Sequence, residues 1–243
     1  MEERKITQDR IQAFCRFLIR EEKSTATVEK YLRDVRAFSV YLGERRVTKE
    51  TVMEYKQYLQ ERNYAVRSIN SMLASLNSLF GFLGWQDCRV KFLRQQKRVY
   101  CPEEKELSKG EYQRLLQAAK GDRKIQLVMQ TICATGIRVS ELRFFTVEAV
   151  KTGEVSVDCK GKNRTILIPS RLCKLLLKYA RNEKIRSGAI FRSRNGEPLS
   201  RMAIWARMKA LCSQAGVNPG KVFPHNLRKL FAQTFYAIEK DIA

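Results

Sequence analysis

ATGIRVSEL, residues Ala134–Leu142, is the stretch around which the chain is organised. Ile125, Val128, Met129 and Ile132 before it keep helical spacing on one face, and Gly136 is a helix-stop signal. A second amphipathic segment, Val139 to Phe145, begins at once. Arg138 therefore falls at a tight turn between two packed helices. A planar, permanently charged guanidinium held in such a turn is suited to gripping a phosphate. Taken alone, an arginine at a helix end more often caps carbonyl groups. A second stretch, PHNLRKLF at Pro224–Phe231, changes that balance.

His225 and Arg228 lie three residues apart at the start of a helix, so both project from one face. His225 is the single histidine of the chain. A histidine and an arginine together at a helix N-terminus, in a strongly basic chain, read as an oxyanion site.

These stretches, with KGKNRTILIP at Lys160–Pro169 as a hairpin, resemble the tyrosine recombinases, which include phage and transposon integrases and the Xer resolvases. The likeness covers nearly the whole chain. Each motif alone is weak; their order and spacing together are specific.

Composition agrees with a nucleic-acid partner. Forty-seven Lys+Arg against 25 Asp+Glu give +22, an excess that points to a polyanion. Residues 1–106 hold 21 basic and 15 acidic side chains, net +6; residues 107–243 hold 26 and 10, net +16. The phosphate-facing surface is thus expected mainly in the second half. No low-complexity basic tail of the ribosomal or chromatin kind occurs. Seven cysteines without a CxxC pair, and one histidine, make a zinc site improbable and fit a reducing cytoplasm. No metal and no cofactor are expected. There is no apolar signal core or membrane-length apolar run.

In chain order, Ile11, Phe14 and Leu18 mark a first helix. Ser24–Thr27 can start a second, closed by Gly43, and Thr48 starts a third through Leu59. Ala65–Gly84 makes a fourth. Four helices with short loops predict a bundle-like domain over 1–86. Residues 87–106 lose periodicity and gather Arg89, Lys91, Arg94, Lys97 and Arg98, a basic linker. Ser108 and Glu111 form a capping box that opens a second domain, 107–243. There Glu154–Asp158 and Arg164–Ile168 predict a hairpin, and Ser170 caps a helix. Ala189–Phe191 suggests a short strand, Met202–Gln214 a helix, and Pro224 to about Lys240 another. The fold class is mainly α with a small antiparallel β-sheet.

The resemblance gives these parts roles. STATVEKYLRDVRAF and RSINSMLASLNSLFGFL are similar to the second and fourth helices of the family's core-binding domain, one half of a clamp around duplex DNA. Arg67, Ser68, Asn70 and Ser71 would face the groove, and Arg94, Lys97 and Arg98 would follow the backbone. The second domain would be the mixed α/β catalytic domain, incomplete at its C-terminus. In the family a tyrosine attacks the scissile phosphate, forming a 3′-phosphotyrosine and releasing a 5′-hydroxyl that a second strand replaces. Arg138 and Arg228 match the two arginines that stabilise the phosphorane, each donor worth about 2–4 kcal/mol. His225 matches the phosphate-binding histidine. A hairpin lysine protonates the leaving oxygen: Lys160 in its lysine–glycine context is the choice, Lys162 the alternative. Glu141 could hold Arg138 in place.

Two departures stand out. Lys229 occupies a place where the family often has a second histidine. The nucleophilic tyrosine, expected some thirty residues past the second arginine, is absent, since the chain ends at Ala243 and Tyr236 is too early. The expectation is a C-terminally truncated recombinase, DNA-binding and inactive as it stands, monomeric where the full-length form would be tetrameric on DNA. A short non-enzymatic DNA-binding protein of the same fold and a type IB topoisomerase use the same residues. The small helical bundle ahead of ATGIRVSEL favours the recombinase.

Overall fold

The computed structural model of the chain describes residues 4–95, 105–159 and 162–240, the side chains of Cys159, Lys162 and residues 237–240 excepted. The chain divides into two compact units, Met1–Arg98 and Val99–Ala243.

The first unit is a helical bundle of α1 (Gln8–Arg20), α2 (Thr25–Leu42), α3 (Lys49–Glu61) and α4 (Val66–Phe82). Each buries the residues at three- and four-residue spacing, among them Phe14 and Leu18, Val35 and Phe38, Val52 and Tyr55, Leu73 and Leu76. Thr48 and Thr51 cap each other at the start of α3. The unit does not stop at Gly84. A 3-10 turn at Gln86–Cys88 follows, and Trp85, Cys88 and Val90 are buried in the bundle core. Two asparagines of α4 fasten this strap. Asn77 donates to Val90 O and accepts from Val90 N, at 2.9 and 3.1 Å. Asn70 does the same with Leu93, at 2.9 and 2.8 Å.

The second unit begins with the capping box: the Ser108 side chain accepts from Glu111 N, and Glu111 accepts from Ser108 N, ahead of α5 (Lys109–Ala118). Next come α6 (Arg123–Thr135), a 3-10 turn at Val139–Phe144, and α7 (Val147–Thr152). The hairpin β1 (Glu154–Cys159) and β2 (Lys162–Leu167) is antiparallel, Glu154 opposite Leu167 and Cys159 opposite Lys162. Then follow α8 (Ser170–Asn182), α9 (Arg201–Ala210), α10 (Cys212–Ala215) and α11 (Pro224–Lys240). The core centres on α6, whose Ile125, Leu127, Val128, Met129 and Ile132 are fully buried, each contributing about 1.5–3 kcal/mol.

Several sequence expectations change here. Val139–Phe144 is a 3-10 turn rather than an α-helix. Ser170 is the first helical residue of α8, and Pro169 takes the cap position. Ala189–Phe191 forms no strand: it holds one bridge, Thr146 to Ala189, with Ile190 N donating to Phe145 O. The Met202–Gln214 segment breaks at Leu211 into α9 and α10, although no glycine or proline stands there. Among the described residues no helix is long and apolar enough to cross a membrane.

Candidate functional site

Helix α6 ends at Gly136, whose φ of +63° lies in the left-handed region. A Cβ at this position would also overlap the ring of Phe231 on α11. Glycine is needed twice over, for the backbone angle and for the close approach. The contact brings the end of α6 against α11, so the segment leaving Gly136 passes beside the start of that helix. Arg138 follows in extended backbone and caps the 3-10 turn.

Glu141 fixes this arginine. It is 1% exposed, and its carboxylate accepts from Arg138 N and Arg138 Nη1, both at 2.8 Å. It also accepts from Arg164 Nη2 on β2, at 2.6 Å. Burial by itself would raise the Glu141 pKa. The bonds from the Arg138 backbone and the two guanidiniums outweigh burial and hold the carboxyl below its ordinary value. One carboxylate thus anchors both the turn and the hairpin, while the two guanidinium side chains stay 51% and 44% exposed.

The first turn of α11 supplies the facing groups. Pro224 opens the helix, Asn226 and Leu227 turn inward, and His225 and Arg228 turn out. Asn226 anchors the turn by donating to Lys105 O and Lys221 O, each at 2.8 Å. Arg138, His225 and Arg228 line one cleft of about 460 Å³, ninety residues apart in sequence yet adjacent in space. Arg228 makes no ion pair among the described residues. Its pKa is lowered, first by burial and then by the neighbouring Arg138 cation; the Glu141 carboxylate offsets part of this, and Arg164 adds a smaller repulsion. A cleft in which cations repel one another across a partly buried space is electrostatically set to receive an anion.

The other expected residues divide. Lys160, Lys97 and Arg98 lie outside the described residues, and of Lys162 only the backbone, in β2, is described. Arg67, Ser68 and Ser71 are exposed along the first turns of α4, and Arg94 is exposed beyond it. Asn70 is occupied otherwise: both ends of its amide are spent on Leu93. Lys229 turns from the cleft toward Glu106, at 3.6 Å. Tyr236 is 61% exposed, two turns beyond Arg228 on the same helix, while Phe231 and Phe235 stack at 6.0 Å. Sequence reasoning overlooked three residues. Arg164 joins Glu141 from the hairpin, and Arg201 and Trp205 of α9 form the remaining wall of the cleft. The helix expected over Met202–Gln214 begins one residue earlier, at Arg201, behind the Ser200 cap, and its sequence did not mark which face meets the cleft. Among the described residues no group of three His, Cys, Asp or Glu is placed to hold a metal ion.

Comparison with known proteins bears on this arrangement. Residues 105–242 match the phage integrase family, and residues 11–87 match the phage integrase N-terminal SAM-like domain. Tyrosine recombinase XerA of Pyrococcus furiosus is 29% identical over 241 residues, covering 96% of this chain and 82% of that protein. Tyrosine recombinase XerD of Halalkalibacterium halodurans is 27% identical over 236 residues, covering 86% and 77%. Among solved structures, a lambda integrase dimer bound to a COC′ core site is similar with a TM-score of 0.75 at 17% identity, over 93% of this chain and 69% of that one. The Tn1549 transposon integrase in complex with transposon right end DNA gives 0.68 at 16%, over 94% and 87%. At such identities the two structures establish likeness of fold.

Proposed function

The chain belongs to the phage integrase family, whose tyrosine recombinases are enzymes of DNA recombination, and on that premise we propose how its 243 residues take part in the reaction. They bind duplex DNA and hold the scissile phosphate in the cleft of Arg138, His225 and Arg228. The observation that carries this reading is that Arg138, His225 and Arg228, brought together from two distant parts of the sequence, line one cleft.

The chemistry follows from that placement. A tyrosine hydroxyl attacks phosphorus, the bond to the 5′-oxygen breaks, and a 3′-phosphotyrosine forms. The five-coordinate phosphorane carries extra negative charge, which the two guanidiniums offset most in the transition state. His225 holds a non-bridging oxygen and assists proton transfer. Lys160, or else Lys162, protonates the departing 5′-oxygen. The tyrosine ester keeps the energy of the broken bond, so the reverse attack by a second 5′-hydroxyl needs no nucleotide cofactor. Arg67, Ser68, Ser71, Arg94, Lys97 and Arg98, all within residues 1–98, add phosphate contacts elsewhere on the duplex.

The attacking group is not Tyr236. Eight residues separate it from Arg228 on one helix, about 12 Å of axial rise. DNA binding and positioning of the phosphate, not the attack on it, are therefore the roles assigned to these residues. The experiment is incubation with a nicked suicide duplex, followed by denaturing electrophoresis and salt-dependent binding. Binding that falls steeply between about 50 and 200 mM salt, with no covalent adduct, is expected. An adduct abolished by Tyr236→Phe would overturn the assignment. Affinity unchanged in both Arg138→Gln and Arg228→Gln would remove the cleft from DNA binding.

A further inference from the structure

Helix α11 meets neighbours on three sides, and only two of these belong to the core and the cleft. His225 and Arg228 line the cleft, while Leu227 and Leu230 are buried. Asn226, Lys229 and Gln233 follow at intervals of three and four, so they form a third stripe. It is about 10 Å long and roughly 100° round the helix from the cleft pair. This stripe meets residues 105–106, the first described residues of the second unit. Asn226, 1% exposed, donates to Lys105 O at 2.8 Å. The Glu106 carboxylate accepts from Gln233 Nε2 at 2.6 Å and pairs with Lys229 Nζ at 3.6 Å.

The contacts close into a ring. The same Asn226 amide donates to Lys221 O, also at 2.8 Å. The Lys221 ammonium pairs with Glu111 at 3.0 Å, and Glu111 is the capping-box partner of Ser108, two residues beyond Glu106. Leu107, between them, is buried in the core. The first turn of α11 is therefore held from two directions, and it cannot rotate or slide without breaking several bonds together. A phosphate grip depends on such placement, since a shift of about 1 Å can cost on the order of 100-fold in rate. We infer that Asn226 and Glu106 are positioning residues for the phosphate cleft: they set the angle at which α11 presents His225 and Arg228. The segment entering the unit is a strut for the cleft, and a change in its course changes the grip. The assignment rests on the phosphate reading of the cleft and adds two residues that touch no phosphate.

The single histidine makes this testable in the intact chain, because the ring-proton resonances of His225 report the cleft alone. The probe is inorganic pyrophosphate, titrated at fixed pH and followed by NMR and calorimetry. Glu106 is 25% exposed, so Glu106→Ala is expected to fold. It should move the His225 resonance in the unliganded protein and weaken pyrophosphate binding by about three- to tenfold. Asn226→Ala should do both more strongly. Glu106→Gln keeps an acceptor for Gln233 and should recover most of the affinity. Thr146→Ala is the stability control: it removes the cap of α7, a helix packed on α8 and β1. It should lower the melting temperature and leave both readouts at parent values; weakening equal to that of Glu106→Ala would overturn the assignment. If Arg228→Gln weakens binding while Glu106→Ala and a folded Asn226→Ala keep the parent affinity and resonance, the two residues are structural only and the assignment is wrong. If Arg228→Gln binds like the parent, the phosphate reading falls and this assignment with it.

Discussion

Replacing Glu141 by glutamine removes one negative charge from a place where two arginines meet. The carboxylate accepts from the Arg138 backbone, from the Arg138 guanidinium and from the Arg164 guanidinium. An amide of the same shape has one acceptor oxygen, and its NH2 group would face a donor. A hydrogen bond involving a charged group is worth about 1.5–3 kcal/mol. The two guanidiniums are close to half exposed, so solvent takes over much of their share. A loss of about 2 kcal/mol remains, centred on the bond to the backbone N–H. For a unit of this size that lowers the melting temperature by about 4–8 °C. The pH dependence has a definite sign. The folded Glu141 carboxyl sits below its ordinary value, so its contribution is complete above about pH 4.3, the unfolded value, and fades as pH falls through the folded pKa. The gap between parent and Glu141→Gln should therefore be full at pH 7 and narrow below pH 4. Pyrophosphate should stabilise the variant more than the parent, because the cluster has lost its internal counter-charge. Calorimetry of the two proteins across that pH range, with and without pyrophosphate, provides the check. Melting within a degree of the parent at pH 7, or equal stabilisation by pyrophosphate, would refute the role given to Glu141.

Gly136→Ala should cost about 2–4 kcal/mol, since left-handed backbone and overlap with Phe231 act together. Adding Phe231→Ala should recover the overlap and leave the backbone strain, a coupling that a double-mutant melting series would reveal. Asn70→Ala removes two bonds to Leu93 and should destabilise the first unit by about 1–2 kcal/mol. The Leu93 amide should then exchange with solvent faster while the α2 core keeps its protection. Ser108→Ala breaks one arm of the capping box and should cost about 1 kcal/mol, read as a lower melting point of the second unit.

Local physics made much of this fold legible in the linear sequence. The buried faces of α1 to α4 follow from apolar spacing, and the starts of α3 and α5 from Thr48 and Ser108. His225 and Arg228 share a helix face by spacing alone, and the hairpin strands follow from alternation, although Lys162 and Asn163, expected between the strands, belong to β2. Where pairing depends on distant neighbours, the same reasoning erred. Ala189–Phe191 has strand-like residues but meets only short segments, Phe144–Val147 on one side and Leu199 on the other, so it forms a single bridge and no strand. The break at Leu211 carries no local signal, because Met208 and Cys212 are both drawn into the core.

The sequence by itself determined the helical faces, the caps, the excess of positive charge and the types of residue able to grip a phosphate. Those properties depend on neighbours within four or five positions, where helical and strand geometry set which side chains share a face. Only the tertiary structure decided that Arg138 and Arg228 share one cleft, because that depends on Gly136 admitting the ring of Phe231. It also drew Arg164 to Glu141, committed Asn70 to the strap, and placed Arg201 and Trp205 in the same cleft as Arg138 and Arg228. Contacts between residues tens of positions apart are selected by how whole elements pack, and no local pattern encodes that choice.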